Sequence, residues 1–207
     1  NRAPSILRVY WPCATLVASS STAPSCPAPP RKLHTHATSW VMGEEQAGQL
    51  LGGGVCAVGG ELHGATDAAP AFLVWVMRDP LRAPLQRAQV VKGWMEDGET
   101  HERVYDVACS DDLAVDPETH RCPDNGAQVD LETCDITAGV GAAELKTIWT
   151  DPEFDSGEAA FYYVRVLENP TCRWSSWDAV RAGVAPRLDV PATIQERAWS
   201  SPIWYTP

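Results

Sequence analysis

No apolar run in the 207 residues is long enough to cross a bilayer as a helix. The sequence also lacks a Walker loop, a dinucleotide-binding glycine fingerprint, a zincin helix and a nucleophile elbow. The short motifs of nucleotide binding, zinc proteolysis and serine-based hydrolysis are therefore absent. Positive charge is scarce: 16 Lys and Arg stand against 27 Asp and Glu, for a formal net charge of −11. Phosphates would be repelled, so no nucleic-acid partner is expected. None of the seven cysteines stands in a Cys-x-x-Cys pair, which argues against a zinc ribbon. There is no initiating Met; the sequence opens on Asn1, which reads as a processed or incomplete chain.

Residues 1–60 lack more. They contain no Asp and no Phe, since the first of each are Asp67 and Phe72. Their only acids are Glu44 and Glu45, and their bases are Arg2, Arg8, Arg31 and Lys32. The remaining 25 acidic and 12 basic side chains all follow. The stretch Ser19–Pro30 is low in complexity, with prolines that block helices and sheet ladders, and Gly52–Gly54 adds flexibility without a core. Residues 1–58 therefore read as an irregular segment: a disordered arm, a linker carrying a signal-peptide remnant, or a stretch in a shifted reading frame. The body is expected over residues 59–207.

What is there is mostly strand. Phe72–Met77 is apolar on both alternating faces, as a strand covered on two sides should be. Asp97-Gly98, between Gln86–Met95 and Thr100–Cys109, predicts a two-residue hairpin, because both turn positions need positive φ. That register sets Val90 opposite Tyr105 and Val91 opposite Val104, which are good pairs, and Lys92 opposite Arg103, which is a poor one. Ala143–Thr150 alternates, and Ala160–Glu168 is rich in aromatic and β-branched residues. Ser175 and Asp178 look like an N-cap pair and Gly183 like a helix stop, giving one short helix over 176–182. Thr193–Trp204 reads as a closing strand bent at Ser201-Pro202. The expected fold class is mainly β: an antiparallel β-sandwich with one short helix.

The body holds four cysteines, Cys109, Cys122, Cys134 and Cys172, each in or beside a polar loop. Four cysteines allow three pairings. We read two disulfides in an oxidising compartment, periplasmic or extracellular. Cys109 with Cys122 would close the acidic loop of residues 110–142, and Cys134 with Cys172 would tie it to the segment before the helix. The loop's carboxylates do not have the spacing of an EF-hand and read as solvated. Trp75 and Trp149 fit the core, whereas Trp174, Trp177, Trp199 and Trp204 lie in or near loops and could equally face a ligand.

His34 and His36 form an i, i+2 pair that would share one strand face, but Lys32 precedes the Leu-His-Thr-His. Only His63, His101 and His120 follow, and none sits in an Asp-x-His. That is too few ligands for a multi-metal site, so these histidines read as loop residues and no metal site or catalytic residue is expected here.

Several strings in order carry a resemblance: Val90-Val91-Lys92-Gly93-Trp94, Trp149-Thr150-Asp151-Pro152-Glu153-Phe154-Asp155, Phe161-Tyr162-Tyr163-Val164-Arg165-Val166-Leu167-Glu168 and Pro191–Pro207. Together they resemble the C-terminal end of the bacterial family called domain of unknown function 3604, over about residues 59–207. Its full-length members resemble polymerase-and-histidinol-phosphatase (PHP) type metal-dependent hydrolases. The resemblance implies that this chain is the tail of an exported, hydrolase-like parent. It further implies that the partner is an upstream catalytic domain, with a divalent metal there and no cofactor in this fragment. Asn1–Ile6 fits the family loosely, and likeness returns near Gly59, so residues 7–58 fit a shifted frame of GC-rich DNA. The other function class is a secreted module whose tryptophans hold a ligand. The expected ligand-binding residues are Glu168, Arg173 and Trp174: a planar guanidinium fork, a flat apolar face, and a carboxylate to orient the fork.

Overall fold

The computed structural model describes residues 59–63 and 69–207 in full, and the strands Cys13–Ser20 and Gly54–Ala57 as backbone. Among the described residues twelve strands follow in order: β1 (Cys13–Ser20), β2 (Gly54–Ala57), β3 (Glu61–His63), β4 (Ala71–Met77), β5 (Leu85–Glu96), β6 (Glu99–Cys109), β7 (Glu144–Thr150), β8 (Ala160–Glu168), β9 (Thr171–Cys172), β10 (Thr193–Ile194), β11 (Arg197–Trp199) and β12 (Ile203–Thr206). Among the described residues a single helix, α1 (Trp174–Ala182), lies between β9 and β10.

Two sheets carry the architecture. One is ordered β2-β1-β4-β7; the other runs β3-β12-β8-β5-β6, with β11 also paired to β8. All pairings are antiparallel except β3 with β12. The β5–β6 hairpin turns on Asp97 (φ 52°) and Gly98 (φ 83°), and it sets Val90 opposite Tyr105 and Lys92 opposite Arg103 as its turn chemistry dictates.

The inward faces meet in an aromatic core. Phe72 of β4 lies 4.6 Å, centroid to centroid, from Tyr162 of β8, and Trp149 of β7 lies 5.1 Å from Tyr105 of β6. Val74, Val76, Leu145, Val90, Val164 and Val166 complete it, all buried. Each comes from a strand whose alternate residues point inward, so the period of two in the sequence becomes the core.

Three details differ from the sequence reading. The helix starts at Trp174, with Arg173 as an N-cap that makes no side-chain cap bond. Ser175 is inside the helix and buried, and Ser176 donates its hydroxyl to the Ala192 carbonyl, so these hydroxyls serve packing rather than capping. Gly183 ends the helix in the left-handed region as expected. The closing run is not one bent strand but β10, β11 and β12; β11 and β12 pair with successive parts of β8. Within residues 1–58, β1 and β2 are strands, with β1 between β2 and β4. His34 and His36 lie outside the described residues.

Candidate functional site

The residues singled out from the sequence are not brought together. Glu168, at the end of β8, is 2% exposed and faces Arg82, Glu196 and Asp79. Arg173 turns away: its Nε donates to the Pro191 carbonyl, and it makes no ion pair with Glu168. Trp174 is 69% exposed on the first turn of α1. The orienting contact expected between Glu168 and Arg173 does not form, because β8 points Glu168 inward before the chain turns.

Glu168 has a consequence of its own. Burial, countered by Arg82 and reinforced by Glu196 and Asp79, pushes its carboxyl up to about 7 from 4.5. The folded state thus holds the proton more tightly than the unfolded chain does. The stabilisation is fully present below about pH 4.5 and is lost as pH rises through about 7. Urea titrations of the wild type should show up to about 3 kcal/mol lost across that window, on the basis of 1.36 kcal/mol per pH unit. Glu168→Gln should remove that slope; if the two proteins keep parallel profiles, Glu168 is not the group responsible.

Two buried polar networks lock the loops that flank the core. On the inner face of β5, Lys92 is 3% exposed, and its Nζ lies 2.8 Å from Asp151 Oδ2 and donates to the Glu153 carbonyl at 2.8 Å. Tyr162 donates to the same Asp151 oxygen at 2.9 Å. Arg103, the poor cross-strand neighbour of Lys92, has a separate carboxylate: its Nη1 lies 2.7 Å from Glu153 Oε2, which also accepts from Tyr105. Burial, and then these carboxylates, push both tyrosine hydroxyls well above the usual phenol range. The Asp151-Pro152-Glu153 segment is thereby fastened across the end of the sandwich. On the outer face, Asp106 accepts from Gln89 at 2.6 Å, from Arg87 at 3.2 Å and from the Cys122 amide at 2.7 Å. Disulfides 109–122 and 134–172 are both formed, the pairing read from the sequence, and the first closes beside this network.

A concave feature lies on the outer face of the larger sheet, where an open groove of about 670 Å³ runs across the strands. Its floor is one transverse row. Register pairs Glu61 of β3 with Trp204 of β12, Trp204 with Phe161 of β8, Phe161 with Gly93 of β5, and Gly93 with Glu102 of β6. The Phe161 ring lies over Gly93 so closely that a Cβ there would sit 2.2 Å from Cζ. Trp204 stands 5.3 Å from Phe161 at 52°, forming an angled aromatic corner. Met95, Thr100, Ala159 and Thr206 line the next part of the groove. Thr206 Oγ1 donates to Glu61 Oε1 at 3.0 Å.

A family model described as "Protein of unknown function (DUF3604)" matches residues 38–207. The chain belongs to that family. The DUF3604 match begins at residue 38, upstream of the boundary at residue 59 read from the sequence. The groove, both buried networks and both disulfides fall inside the matched region. No curated protein and no solved structure matches the chain. Among the described residues, no three His, Cys, Asp or Glu side chains are grouped so as to hold a metal ion. No helix among them is long and apolar enough to cross a membrane.

Sequence reasoning missed the groove, although two signals pointed to it. Gly93 interrupts an otherwise well-filled strand, which marks a close approach. The alternate residues Phe161 and Tyr163 share the outer face of β8 and stack at 6.3 Å.

Proposed function

We propose that this chain is a non-catalytic recognition domain, the C-terminal β-sandwich of an exported, hydrolase-like parent protein. Its own task is to hold a ligand in the groove on the outer sheet. The observation carrying the proposal is the row Glu61–Trp204–Phe161–Gly93–Glu102, which combines an exposed aromatic corner with flanking polar groups. Trp204 and Met95 remain about half or more exposed there, at 51% and 63%, although burying them in the fold would be favourable. The two disulfides fit an oxidising home such as the periplasm. Family resemblance supplies the rest: an upstream catalytic domain, with its divalent metal, would be the partner. An upstream Asp-Leu-His-x-His in the longer gene would support that part.

Thermal-shift measurements on the whole chain test the groove. Three panels suffice: alkylammonium ions, oligosaccharides and aliphatic carboxylates, each at millimolar concentration. At least one panel should raise Tm by roughly 3 °C at ten times its Kd. Trp204→Ala should abolish that shift. No shift from any panel, or one that survives in the variant, would remove the groove as the binding site.

A further inference from the structure

We infer that the groove takes an organic cation: an alkylammonium group whose apolar substituents rest on Trp204 and Phe161. This rests on the groove being a binding site, as proposed above, and adds the chemistry of its occupant.

The argument begins with how this protein treats its aromatic rings. Lys146 lies over Trp75 at 4.6 Å, Lys92 over Trp94 at 5.2 Å, Arg181 over Trp177 at 5.2 Å and Arg103 over Tyr105 at 5.6 Å. Among the described residues, no Lys or Arg lies over Trp204 or Phe161 in this way. Nor does any Lys or Arg line the groove, whose charged lining residues are Glu61 and Glu102. The negative faces of the two rings and the two carboxylates all favour a positive charge. The chain as a whole, at −11, has the same sign and would raise the local concentration of cations.

Shape agrees with charge. Two rings inclined at 52° present a corner into which a compact, substituted ammonium fits, with ring faces on two sides. A flat sugar ring would stack on one face and leave the other open. Glu102 stands on the exposed edge strand β6, the far end of the same row, and its charge contributes, after burial, to raising the Tyr163 hydroxyl. Four strand spacings separate the two glutamates, roughly 19 Å at about 4.8 Å each. They therefore set a field along the groove rather than clamp a single ammonium between them.

Choline is a suitable probe, because 3,3-dimethyl-1-butanol has the same shape with carbon in place of the charged nitrogen. Isothermal titration of the whole chain should give choline an affinity at least about fivefold tighter than that of the neutral isostere. Raising NaCl from about 0.05 to about 0.5 M should weaken choline and leave the isostere unchanged. Glu102→Gln, at an exposed position that the fold does not need, should narrow the gap between the two, and Trp204→Ala should abolish both. If the isostere binds as tightly as choline, or if only maltotriose binds, the cation inference falls while the groove remains a site. If neither choline, the isostere nor maltotriose binds, both fall.

Discussion

Lys92→Met should destabilise the protein by about 3–5 kcal/mol, the usual cost of removing one partner from a buried ion pair. The side chain enters from β5 into the sandwich interior and is 3% exposed. With the ammonium gone, Asp151, whose side chain is wholly buried, keeps only the Tyr162 hydroxyl and local backbone donors. The Glu153 carbonyl loses its donor as well. Methionine matches the stem of lysine in length, so the loss reflects charge rather than a cavity. Urea unfolding at neutral pH measures it directly. Asp151→Asn placed in the same protein should recover part of the loss, since the orphaned charge is then removed. A single variant that costs less than about 1 kcal/mol would show that water reaches Asp151 and that the pair behaves as a surface one.

Replacing Cys134 and Cys172 by serine should cost about 4 kcal/mol, and replacing Cys109 and Cys122 about 3 kcal/mol, in the chain-entropy account of cross-links. The difference follows from loop length, because the bridges span 38 and 13 residues. The longer bridge also ties the 110–142 loop to β9, just before α1. Non-reducing peptide mapping should recover both pairs. Under reductant the wild type should fall to the stability of the four-serine variant and no lower. Four freely alkylating thiols in protein taken from an oxidising compartment would contradict the bridges and the home assigned to the chain.

How much of this was legible in the sequence depends on the range of the interaction. The β5–β6 hairpin was readable to its register because the turn Asp97-Gly98 dictates it locally. The strands β4, β7 and β8 were readable from alternation, and the disulfides from the placement of four cysteines beside polar loops. Lys92 was not readable as a core residue. A lysine in a strand ordinarily faces water, and its partner Asp151 comes from a segment far along the chain; the only hint was the awkward pairing with Arg103. Ser175 resembled a cap because Asp178 follows at the right spacing, but tertiary packing took the serines instead. The groove was invisible because its row draws one residue from each of five strands. The site residues Glu168, Arg173 and Trp174 were chosen for their chemistry on one short turn, whereas the fold buries Glu168, exposes Trp174 and occupies Arg173 with the Pro191 carbonyl.

The place of β12, between β3 and β8, bears on how the protein is made. Its residues pair on one side with β8 and on the other with β3, so Trp204 meets Glu61 across most of the chain. A ribosome or translocon that delivers the chain from its N-terminal side releases β8 before β11 and Ile203–Thr206 can cover it. Through that interval the nascent polypeptide presents a bare, aromatic strand edge, which is an invitation to aggregate. Such long-range closure also makes folding slow.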